Sequence, residues 1–170
     1  MNTSKELSLD QKIKRAKFIT EFIWWIVTFL LVAIIMLPVQ SLMNFNEFIA
    51  ANLVSILVFL IFTRHIFFLK YSFLAQMQWL KFLIIFACIP LNFKLIEWIF
   101  NFQAFLQNQG LESFNMYFID KEDSAEKERL LQYFKTEYLF FGVSSVISAI
   151  LFPVRLLISF WRVYNKTGKV

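Results

Sequence analysis

The chain lacks most of the residues that carry chemistry. One cysteine in 170 residues, Cys88, excludes an internal disulfide and any CxxC pair. It falls mid-way along an apolar run and reads as a small packing residue. One histidine, His65, excludes a His pair, and no carboxylates cluster at metal-ligand spacing. Haem and metal sites usually need a second strong ligand beside a histidine. Three glycines cannot build a Gly-rich phosphate loop. No cofactor, metal or catalytic constellation is therefore expected. Charge is scarce as well, at 17% against about a quarter in soluble domains.

What is present is apolar: 59% of the residues are hydrophobic and 19% aromatic. They lie in blocks, with the charges between them, which is the pattern of membrane spans rather than of a large soluble core. Phe22 to Val39, "FIWWIVTFLLVAIIMLPV", holds eighteen residues without a charge. That run exceeds a signal-peptide core, so it is read as an uncleaved first span despite the small residues of "VQS" at 39–41. The second block is 48–69, the third 79–100 and the fourth 138–161. Pro90 and Pro153 lie inside the last two, where membrane helices tolerate a bend. In the third, only Phe82 to Phe93 is free of charge, short enough for a re-entrant segment. Trp79 and Trp98, nineteen residues apart, span about 28 Å of helix and match the two aromatic belts of a crossing.

Charge placement sets the expected threading. Residues 1–21 carry five Lys/Arg against three acids, and Arg162, Lys166 and Lys169 follow the fourth block. The loop at 40–47 has no basic residue, while Lys70 and Lys81 mark the next one. Segment 101–137 has four basic and seven acidic residues. The basic-inside bias therefore predicts four spans with both termini cytoplasmic, in the inner membrane if the source is bacterial. The same reading removes nucleic acid as a partner, because basic flanks of membrane helices account for the positive charge. The expected fold is all-α: a polytopic four-transmembrane-helix bundle, one domain over 1–170, with a small helical extracytoplasmic extension. In that extension the third helix runs on and stops at Gly110. "LESFNMYFID" at 111–120 is a connector. A new helix starts near "DSAE", capped by Asp123 or Ser124, and continues to about residue 163.

Ionisable groups inside a membrane are candidate functional groups, because hydrocarbon penalises each by roughly 2.5–3.5 kcal/mol. Six stand out: Glu21, Arg64, His65, Lys94, Glu97 and Arg155. Arg64 and Arg155 lie close enough to the inner edge to snorkel to lipid phosphate, or to pair with Glu21. Lys94 and Glu97, three apart, are placed for an ion pair. Each helix also offers a narrow polar seam: Lys17, Glu21 and Thr28; Asn52, Ser55, Thr63 and Lys70; Glu137, Ser144, Ser148, Arg155 and Arg162. Such stripes face protein rather than lipid. At about 100° per residue, Arg64 and His65 point in different directions and cannot act from one face.

Three functions follow in order of preference. The first is a non-enzymatic accessory or scaffold subunit of a larger membrane assembly, with the bilayer and a membrane-protein partner or a second copy covering its Phe-, Leu- and Ile-rich faces. The second is a small oligomeric transporter or channel. The third is an enzyme acting on lipid headgroups, with Arg64 and Arg155 on phosphate and His65 as acid or base.

Overall fold

The computed structural model describes residues 9–40, 44, 46–75, 77–111, 113–114 and 124–167. The basic arm before residue 9, half of the 40–47 loop, Asp123, seven residues of the 111–120 connector and the end of the basic tail lie outside them.

Four long helices run in alternating directions: α1 (Leu9–Gln40), α2 (Glu47–Phe68), α3 (Gln78–Gln109) and α4 (Ser124–Thr167). All four are long and apolar enough to cross a membrane. Their ends obey local chemistry. The Asn46 side chain accepts the Ile49 amide at 3.0 Å, and Glu47 sits in the first turn of α2, where the helix dipole favours an acid. Two short 3-10 turns, Leu69–Tyr71 and Phe73–Ala75, then lead to α3. Ser72 joins them, its hydroxyl accepting the Leu74 amide. α3 stops at Gly110, whose φ of 76° only glycine adopts without strain.

Length separates the helices. The 22 residues of α2 rise about 33 Å, close to the hydrocarbon thickness of a bilayer. The 44 residues of α4 rise about 66 Å, so α4 overshoots α2. α4 is also the hub: its most extensive contacts are with α2, then with α3. The buried residues of α3 are Lys81, Cys88, Leu95 and Phe102, each seven after the last. On α4, Leu131, Tyr138, Ser145 and Phe152 repeat at the same interval. A seven-residue repeat is the seam of two nearly antiparallel helices packing side by side. Small residues let them close: a Cβ on Gly142 would lie 3.0 Å from Ile99 Cγ1, and Ser145 and Ala149 are fully buried. α1 is peripheral, touching α2 and only slightly α4. Its large apolar residues, including Phe22, Ile26, Phe29 and Leu37, remain exposed.

The core is divided. One cluster gathers aromatics at the end of the bundle where α3 finishes and α4 begins: Phe48, Phe102, Phe114, Phe134 and Tyr138. Phe102 and Tyr138 stack with centroids 4.0 Å apart. Phe114, beyond Gly110, packs against Phe48, Phe102, Phe105 and Phe134 at 4.7–5.9 Å. The other cluster is smaller, formed by Leu69, Leu74, Cys88, Phe152 and Leu156 at the opposite end.

Candidate functional site

Four of the six ionisable residues that the sequence places in the membrane, Glu21, Arg64, His65 and Arg155, collect at that opposite end, where α2 stops and α3 starts. Glu21 of α1 and Arg64 of α2 form an ion pair. Their side chains are only 7% and 9% exposed, so either charge alone would be stranded. Ser72 bonds the same carboxylate, and the guanidinium lies 5.5 Å from the centre of the Trp24 ring. Four groups from two helices and the connecting turn thus fix how α1 sits on α2.

His65 turns elsewhere. Its Nδ1 lies 2.7 Å from the Ile61 carbonyl oxygen, and a carbonyl only accepts, so Nδ1 carries a proton. The ring packs against Phe152 of α4 at 5.7 Å. It also borders a largely apolar cavity of 270 Å³ shared with Glu21, Trp25, Ile84, Cys88 and Phe152.

Arg155 does not pair with Glu21, which Arg64 takes. Its Nε donates to the Ile66 carbonyl at 3.0 Å. Ile66 lies in the last turn of α2, where carbonyls lack a helical partner and the dipole is negative. Arg155 therefore caps α2 from α4. Arg64, His65 and Arg155 do not converge: one is committed to α1, one to its own helix and one to the end of α2. Arg155 lines a different cavity from His65, and Arg64 lines neither.

Lys94 and Glu97 pair as their spacing suggests, with Nζ 3.0 Å from both carboxylate oxygens. Both side chains are about half exposed, at 51% and 53%. Lys94 also lies 6.0 Å from the Trp98 ring centre. With Glu47, Tyr138 and Asn101 they border a 150 Å³ cleft beside the aromatic cluster.

Several contacts escape a reading of the sequence. Lys81, assigned there to the loop after the second span, belongs to α3 and is fully buried. Its Nζ donates to the Ala75 carbonyl at 2.8 Å, Ser159 Oγ at 3.0 Å and Gln78 Oε1 at 3.2 Å, which uses all three of its hydrogens. The signal was available: Lys81 begins the seven-residue stripe that continues through Cys88, Leu95 and Phe102. Asn52 Nδ2 donates to Glu137 Oε1 at 2.8 Å, joining α2 to α4 between two buried side chains. One turn earlier on α4, the Tyr133 hydroxyl donates to the Ile35 carbonyl of α1 at 3.0 Å. Asn92 Nδ2 bridges α3 to α4 through the Ala149 carbonyl at 3.1 Å. The seams also meet directly, with Thr63 Oγ1 and Ser148 Oγ 3.4 Å apart.

Among the described residues, no group of three or more His, Cys, Asp or Glu side chains is placed to hold a metal ion. Chemically, most of these contacts join helices, matching a donor on one to an acceptor on another, while Lys94–Glu97 and His65–Ile61 stay within a single helix. The chain matches no protein-family model, no curated protein sequence and no solved structure.

Proposed function

We propose that this chain is a non-enzymatic integral membrane subunit, an accessory or scaffold member of a larger membrane assembly. It would be threaded with both termini on the cytoplasmic side, in the inner membrane if the source is bacterial. The observation that supports this is how the ionisable and amide side chains of the spans are used. Glu21, Arg64, Asn52, Glu137, Asn92, Lys81 and Arg155 all engage inward, mostly from one helix to another. The outward faces of α1 and α3 are left to large apolar residues such as Phe22, Phe29, Phe86 and Phe93. A bundle that uses its polar groups as internal fastening and presents a broad apolar exterior suits a part that other helices or lipid must cover.

Purification at native expression in a mild detergent tests this reading. Co-eluting membrane subunits of fixed stoichiometry are expected. A monodisperse species of this chain alone, or of its multiples, would contradict it and favour the self-contained oligomer.

A further inference from the structure

At the end of the bundle that holds the Glu21–Arg64 pair, a cavity of 250 Å³ opens between the α2–α3 connection and the last turns of α4. Lys70, Arg155, Ser159 and Arg162 supply its polar lining, and Leu69 and Val163 its apolar walls. Positions 155, 159 and 162 follow the four- and three-residue spacing that puts side chains on one helical face. No acid lines the cavity. Neither the Arg64–Glu21 nor the Lys94–Glu97 ion pair involves Lys70, Arg155 or Arg162, which face the cavity with no carboxylate in its lining.

Two hydrogen bonds outside the cavity prepare its donors. Arg155 spends its Nε on the Ile66 carbonyl, which orients the guanidinium and leaves the hydrogens on Nη1 and Nη2 for a ligand. Lys81 donates to Ser159 Oγ, so that oxygen is already an acceptor and its own hydrogen is the one left to give. Lys81 thus adds a buried positive charge directly behind the hydroxyl.

We propose that this cavity binds a phosphate-bearing anion, held by the free edge of Arg155, the Ser159 hydroxyl, and the flanking charges of Lys70 and Arg162. A planar guanidinium beside a hydroxyl matches the oxygens of a phosphate mono- or diester. Basic cavities between membrane helices at the cytoplasmic face are a recurrent mode of anionic headgroup binding. The apolar walls give the acyl or glycerol portion of such a lipid a surface to lie on. The same groups would hold a soluble phosphate, and the experiment separates the two sources.

The test uses the full chain in neutral detergent, titrated with phosphatidylglycerol, phosphatidylcholine or inorganic phosphate, and read by native mass spectrometry and thermal shift. Phosphatidylglycerol should bind well above phosphatidylcholine. Lys70→Gln with Arg162→Gln, both on exposed side chains and outside the internal bonds, should weaken phosphatidylglycerol by about thirtyfold, the loss expected for two cations at a lipid surface. Arg155→Gln should weaken it too, but it also removes the α2 cap, so the Lys70/Arg162 double variant is the deciding one. If inorganic phosphate at millimolar concentration displaces the lipid and itself raises the melting temperature, the source is a soluble anion; if it does neither, the source is a headgroup. Equal binding of phosphatidylglycerol and phosphatidylcholine without a phosphate effect, or unchanged phosphatidylglycerol affinity in the double variant, would overturn the proposal.

Discussion

The two ends of the bundle are built from opposite materials. Where α3 finishes and α4 begins, rings pack on rings: Phe48, Phe102, Phe114, Phe134 and Tyr138. Where α2 finishes and α3 begins, charges and hydroxyls hold the helices: Glu21–Arg64, Arg155 on Ile66, and Lys81 on Ser159. Solvent explains the division. In hydrocarbon, burying a phenyl ring against protein gains little over leaving it in lipid, so helices are joined by packing and hydrogen bonds. In water, removing the same ring from solvent contributes about 25 cal/mol for each Å². α3 and α4 both extend past the first turn of the bilayer-length α2 at the aromatic end. On the proposed threading that extension meets water, the hydrophobic effect would operate there again, and fully buried Phe102 and Phe134 would belong to a small water-side core.

Substitutions should separate the two kinds of fastening. The largest effects belong to the ion pair. Arg64→Ala leaves Glu21 buried without its counter-charge and should destabilise the bundle by about 3–5 kcal/mol in reversible unfolding from mixed micelles. Replacing both partners by apolar residues of similar size should recover most of that loss, because no stranded charge remains. At the aromatic end, Phe102→Ala should also cost about 3–5 kcal/mol, by transfer and cavity together. No compensating partner substitution should rescue it, and that asymmetry is what distinguishes the two ends. A rescue at Phe102, or a failure to rescue at Arg64, would break the comparison. Asn52→Ala, between the two ends, removes the donor to buried Glu137 and should cost about 1–3 kcal/mol, with Asn52→Gln recovering part. Lys94→Gln should be smallest, about 0.2–1 kcal/mol, because that pair is half exposed; hydrogen exchange along α3 would reveal any larger role.

The helices were legible in the sequence because long charge-free runs and Gly110 are local signals. α3 through to Gly110 follows directly from them, and the start of α4 at Ser124 from the capping pattern of "DSAE". The pairings were only half legible. Lys94–Glu97 is a neighbour pair and could be read off its spacing. Asn52–Glu137 joins residues 85 apart in the chain, and each seam alone did not say which other seam it would meet. The Arg155 contact was hidden for a different reason: the acceptor of its Nε is a backbone carbonyl, which every residue carries and no sequence pattern marks. Lys81 was hidden by the assumption that a lysine at the edge of an apolar block faces water.

On the proposed threading, the aromatic and basic ends face opposite sides of one membrane. Gln107 and Asn165 are exposed, one towards each end, and the single native cysteine, Cys88, is buried. Gln107→Cys and Asn165→Cys can therefore be probed separately with a membrane-impermeant maleimide in intact cells and again after permeabilisation. Gln107→Cys should label in intact cells, and Asn165→Cys only once the membrane is opened. Labelling of both in intact cells, or of neither until permeabilisation, would place the two ends on one side and contradict that threading.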